Sequence, residues 1–158
     1  MRRLVCLGLL TLAACGDDTV PAPARPAVTS YQGALSLELR GTADVTLTQT
    51  GSDTIDVGLA MRDVNTRGLF DAATPLAGPG RREAFPETES ELYTALFALA
   101  PSSAAESPCG AAPVTLALSL HRRAPNLRVG GSLSAYCGEQ ARGVPAWIFR
   151  LSGTLTPR

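Results

Sequence analysis

Three observations on the sequence predict an all-β domain. Apolar and polar residues alternate with period two in several stretches, the first being Ala34-Leu35-Ser36-Leu37-Glu38-Leu39-Arg40. Short clusters of Gly, Ser, Asp and Pro punctuate those stretches. Two turns, placed independently, then bring the apolar residues of three successive strands onto one face. The 158 residues, 45% of them hydrophobic, suit one domain. Fourteen basic and fourteen acidic residues cancel, which leaves no electrostatic footprint for nucleic acid. The chain is too apolar to be disordered throughout.

The first expected strand covers residues 34–40 and the second 44–50, with Gly41-Thr42-Ala43 between them. A hairpin centred on Thr42 sets Leu39 opposite Val45, Leu37 opposite Leu47 and Arg40 opposite Asp44. Gly51-Ser52-Asp53 is the next turn. Centred on Ser52, it opposes Leu47 to Val57 and Val45 to Leu59, with Ile55 and Met61 on the same face. From 63 to 90 the pattern is lost: Asp63 to Gly68 and Pro75 to Pro86 carry turn residues and the Arg81-Arg82 pair. A long irregular connection is expected there, Leu69-Phe70 being its one candidate for a short strand. Residues 89–99 form the one helix candidate. Thr88 or Ser90 is its cap, acids occupy its first turn, and Leu92, Leu96 and Leu99 share a face. The same stretch also alternates as Tyr93, Ala95, Phe97 and Leu99; the abundance of Ala and Leu favours the helix.

Alternation returns with Val114, Leu116, Leu118 and Leu120, and again with Leu127, Val129, Gly131, Leu133 and Ala135. Setting Leu120 opposite Leu127 also sets Leu118 opposite Val129 and Val114 opposite Leu133. Cys109 then falls opposite residue 138, one place from Cys137. A last strand, Pro145 to Thr156, puts Trp147, Phe149, Leu151 and Leu155 on one side. Six or more strands with one apolar face each must cover that face. The meander is therefore expected to close as a small barrel or a two-sheet sandwich. An outer-membrane pore is disfavoured, because strands are few and the ending Thr156-Pro157-Arg158 lacks a terminal aromatic.

The first residues read as an address. Met1-Arg2-Arg3 is cationic, and Leu4 to Ala14 is an apolar run of eleven that ends in small residues. Eleven helical residues span about 16 Å, too short to cross a bilayer stably. Leu12-Ala13-Ala14-Cys15 resembles the lipobox of bacterial lipoprotein precursors. That resemblance implies diacylglyceryl transfer to the Cys15 thiol, cleavage before Cys15 and acylation of the new amine. Residues 1–14 are then the signal peptide and 15–29 a lipidated, Pro-rich tether, leaving 30–158 as one β-rich domain. Gly16 follows the Cys, with acids only at Asp17 and Asp18. Outer-membrane delivery is favoured over inner-membrane retention on that ground. Loss of Arg2 and Arg3 leaves a net charge near −2, which does not suggest attraction to anionic lipid heads. Cys6 departs with the signal and Cys15 takes the lipid, so Cys109 and Cys137 remain as a disulfide pair in an oxidising compartment.

Residues that carry chemistry are sparse. His121 is the only imidazole, and no Ser or Cys nucleophile with a paired acid is tied to it by spacing. Asp53 and Asp56 lack the alternating ligands of a calcium loop, and a two-Cys metal site has only His121 to add. Arg81, Arg82, Arg122 and Arg123 are the candidate anion contacts. Gly130-Gly131 inside a strand signals a bulge or a close backbone approach. No metal, cofactor or catalytic residue is assigned. The favoured function is a non-catalytic cell-envelope lipoprotein, anchored to the membrane by its lipid, whose β domain meets an envelope protein or polymer. The alternative is a carrier of a small apolar ligand, resembling lipocalins in architecture only.

Overall fold

The computed structural model describes residues 30–38, 41–100, 107–123 and 127–158. The expected signal peptide, Cys15 and the tether lie outside them, as do Leu39 and Arg40. Nine strands form one antiparallel sheet: β1 (Ser30–Leu37), β2 (Thr42–Gln49), β3 (Thr54–Arg62), β4 (Leu76–Phe85), β5 (Ser90–Leu99), β6 (Val114–Arg123), β7 (Arg128–Cys137), β8 (Trp147–Thr154) and β9 (Thr156–Pro157). Each strand pairs with the next through β8, and β1 pairs with both β2 and β8. The meander is thus a closed eight-stranded barrel, and β9 continues along β1 in the register that β8 begins. Of the two closures expected, the barrel is the one formed. Among the described residues every pairing lies within Ser30–Pro157, and these strands close the barrel by themselves.

The β2–β3 hairpin has the expected register, with Leu47 opposite Val57 and Val45 opposite Leu59. The first hairpin is displaced: Leu35, not Leu39, lies opposite the start of β2, facing Ala43. Its turn closes through the Leu37 N–H, which donates to the Gly41 carbonyl at 3.1 Å. Gly41 adopts a φ of +98°, open to glycine and costly for other residues. The displacement leaves Ala43 in the core, fully buried between Leu35 and Met61. Asp44 pairs with Arg62 on β3, correcting the expected Arg40 partner.

The expected helix over 89–99 is instead strand β5, beginning at Ser90. Tyr93, Ala95 and Phe97 point into the barrel, and the backbone pairs with β4 and along its whole length with β6. A complete ladder with β6 and a six-residue ladder with β4 together outweigh the weak helix propensity of Ala and Leu. The expected irregular stretch 63–90 likewise contains a strand, β4. Its inward positions include Gly78 and Gly80, which erase the alternation from the sequence. Space explains the choice at Gly80, where a Cβ would lie 2.5 Å from the Thr94 carbonyl oxygen and 2.9 Å from Val57. Leu69 and Phe70 form no strand; they are buried from the loop between β3 and β4, with Phe70 edge-on to Phe149 at 6.3 Å.

The β6–β7 register places Leu118 opposite Leu133 and Leu120 opposite Gly131, correcting the expected pairings of Leu120 with Leu127 and Leu118 with Val129. Strand β6 keeps pairing beyond Leu120, with His121 opposite Gly130 and Arg122 opposite Val129, which moves the connection along the chain. Both displaced registers slip by an even number of residues, so among the described residues of these strands the inward side chains stay inward. Cys137 faces Val114 on the ladder, and Cys109 is turned back to it by a compact bend in which Gly110 N–H donates to Ser107 and Ala112 N–H to Cys109. The disulfide Cys109–Cys137 forms as expected, with Cα atoms 5.1 Å apart.

Leu, Val, Ile and Phe fill the lumen, while Thr42, Thr46, Thr48 and Ser36 stand on the exposed outer wall. This polarity is the reverse of a membrane-spanning barrel, whose apolar band faces outward.

Candidate functional site

The two ends of the barrel differ. One end carries the long loops, 63–75, 100–113 and 138–146, together with the disulfide and the buried Leu69 and Phe70. The Arg67 guanidinium lies 3.9 Å from the Trp147 ring centroid there, holding the same loop against β8. Ser30 marks the other end, where the domain begins and connections are short. There Ser30 accepts a hydrogen bond from the Arg158 N–H at 3.0 Å.

Inside that second end lies the principal cluster of ionisable side chains. Glu91 and Tyr93 stand two apart on β5 and so point inward together. Arg122 pairs with Glu91 across β5–β6, and Arg82 with Tyr93 across β4–β5. The Glu91 carboxylate accepts at one oxygen from Arg82 Nε at 3.0 Å and Nη2 at 2.5 Å. Its other oxygen accepts from Arg122 Nε at 2.8 Å, Arg122 Nη2 at 2.5 Å and the Tyr93 hydroxyl at 2.6 Å. The Arg122 guanidinium also covers the Tyr31 ring at 4.5 Å. Side chains of Glu91 and Arg122 are only 14% and 13% exposed.

Burial alone would push the Glu91 carboxyl up. The bonds from Tyr93, Arg82 and Arg122 outweigh that effect and hold its pKa below the ordinary 4.5. Burial, reinforced by the neighbouring carboxylate, pushes the Tyr93 hydroxyl well above its usual range. Two guanidinium groups thus share one carboxylate, and the cluster carries one net positive charge. The space left beside it, lined by Tyr31, Gln49, Arg82 and Glu91, measures about 30 Å³, enough for roughly one water molecule.

Because its pKa falls on folding, Glu91 stabilises the barrel fully above pH 4.5, and that contribution is lost as pH drops through the lower folded value. Glu91→Gln is expected to cost about 2–3 kcal/mol near neutrality, allowing for the cluster's partial exposure. The difference in thermal midpoint between wild type and variant should shrink as the buffer is taken from pH 7 to acid. A difference that stays constant would show that the carboxylate's charge contributes nothing.

Of the four candidate anion contacts, the structure brings Arg82 and Arg122 together and turns them to an internal partner. Arg81 and Arg123, one residue along their strands, point outward and are exposed. Glu91, missed as a site residue, shows its signal in the spacing Glu91-Tyr93-Ala95-Phe97 once the segment is read as a strand. His121 is exposed on the outer wall of β6, opposite Leu92 and Gly130. Among the described residues no three His, Cys, Asp or Glu side chains gather as a cation site. Two open grooves run along the outer wall of β4 and β5, each about 700 Å³, meeting at Thr54, Arg81 and Thr94. Asp53 and Glu83 line one; Pro79, Leu96 and Ala117 line the other.

No protein-family model, curated protein or solved structure matches this chain.

Proposed function

We propose that this protein is a non-catalytic cell-envelope lipoprotein, anchored through Cys15, whose barrel acts as a structural or interaction module through its outer surface. The filled lumen is the observation that carries this reading. Leu116, Leu118, Leu133 and Leu155 are essentially unexposed within it. Leu69 and Phe70 pack at one mouth, and the Arg82–Glu91–Arg122 cluster occupies the other. An eight-stranded barrel has room either for side chains or for one small ligand, and here side chains take it. Recognition is thereby left to the wall and the loops. The disulfide fits secretion to an oxidising compartment. Lipid attachment at Cys15 and delivery to the outer membrane rest on the lipobox and on Gly16 following the Cys.

The test is the mass of the chain from Gly16 onward, produced in an oxidising compartment and measured under native and denaturing conditions. No native excess, with a gain of about 2 daltons on reduction, is expected from a closed barrel with one disulfide. A native-only excess of several hundred daltons would replace this reading with the carrier of a small apolar ligand. Labelled palmitate incorporated by wild type but not by Cys15→Ser tests the anchor separately.

A further inference from the structure

We propose that the end of the barrel nearest the tether docks on anionic phospholipid headgroups through Arg123, Arg128 and Arg158; the geometry of this docking rests on the lipoprotein reading. The overall charge, near −2 after loss of the signal, conceals a division at this end. Arg123 ends β6, Arg128 begins β7 and Arg158 follows β9. All three are exposed, and none forms an ion pair among the described residues. The strand neighbours of Arg128 and Arg158 are uncharged: Arg128 faces Thr154, and the Arg158 N–H donates to the Ser30 carbonyl. Acids at and near the same end, Asp53, Asp56, Glu83, Glu87 and Glu89, sit on β3, β4 and the β2–β3 and β4–β5 connections, in the other half of the circumference. Glu89 comes nearest the basic half, one residue from Ser90, the partner of Arg123. Glu91 is already bonded to Arg82 and Arg122. The basic sector therefore runs over β6, β7, β8 and β1.

The tether sets where this sector can go. It joins the barrel at Ser30 and comprises residues 15–29, so even fully extended it reaches at most about 50 Å. Such a leash keeps the basic end close to the headgroups and raises its effective concentration there. Seating on the bilayer would turn the long loops of the opposite end away from the membrane.

Sedimentation with vesicles tests this without the acyl chains, using the chain from Gly16 onward. The vesicles are phosphatidylcholine alone or phosphatidylcholine with 30% phosphatidylglycerol. Binding is expected only to the anionic vesicles, and it should fall as salt is raised from 20 to 500 mM, roughly the range over which exposed charges become screened. Each Arg→Gln change should weaken partitioning about fivefold, so the triple variant Arg123→Gln/Arg128→Gln/Arg158→Gln should lose about a hundredfold. Removing as many charges away from this end, by Arg62→Gln, Arg142→Gln and Arg150→Gln, should leave partitioning nearly unchanged. No binding to the anionic vesicles would overturn the proposal. So would equal losses in the two triple variants, or salt-insensitive binding to phosphatidylcholine. Because the protein tested carries no lipid, such a failure is separate from failure of acylation at Cys15.

Discussion

Gly131→Ala is expected to destabilise the barrel by about 3 kcal/mol, while Gly130→Ala leaves it unchanged or slightly more stable. The two glycines are adjacent on β7 and differ in what a methyl group would meet. At Gly131, which points inward opposite Leu120, a Cβ would lie 2.0 Å from the Ser119 carbonyl oxygen and 2.9 Å from the Leu120 Cα. Those atoms are backbone, so a rotamer change cannot clear them; β6 and β7 must part or slide. At Gly130, on the outer wall, nothing lies within 4 Å. Alanine there restricts the unfolded chain and costs the folded one nothing. Thermal denaturation of the two variants reads the contrast, with a fall of about 10 °C for Gly131→Ala and a change near zero for Gly130→Ala. Equal midpoints would mean that β6 and β7 do not approach as described.

Cys137→Ser, compared with wild type under oxidising conditions, should lose about 3–4 kcal/mol, and dithiothreitol should bring wild type to the same stability. The bond joins residues 28 apart, so it closes a loop whose freedom in the unfolded chain is substantial. It also ties the bend at 107–112 to the end of β7, beside the Thr115 hydroxyl bonded to the Gly138 carbonyl at 2.7 Å. Chemical denaturation followed by far-ultraviolet circular dichroism checks this. A reduced protein as stable as the oxidised one would show that the bend holds its place by packing alone.

The all-β class, the shared apolar face and the disulfide were legible because each follows from alternation or parity. A hairpin displaced by an even slip keeps its faces, so the errors around Thr42 and at Leu120 did no harm to the predicted core. Turn position was not legible, since it depends on which residue takes a positive φ, and Gly41 does so inside a run rich in β-formers. Strand β4 was hidden because Gly78 and Gly80 face a lumen already filled by Phe97, Val57 and Ile55. Strand β5 was misread because its partners on both sides lie far away in sequence, one of them the hidden β4. The site is half visible for the same reason: Arg82 and Arg122 stand out in their doublets, but a helix over 89–99 leaves Glu91 as a first-turn acid. Only a strand puts Glu91 on the same face as Tyr93 and opposite Arg122.

The seam between β1 and β8 bears on how this chain acquires its structure. Leu35 meets Gly153 and Leu37 meets Leu151, while Ser30 and Arg158, 128 positions apart, bond to each other. A chain threaded from its N-terminus presents β1 with one bare edge until the final strand arrives. Pairings so remote in sequence are slow to form, because chain ordering precedes the contacts that reward it. For that interval β1 offers a template to any other extended chain nearby. Closure of the β1–β8 seam is therefore expected to be slower than formation of the hairpins β2–β3 or β6–β7.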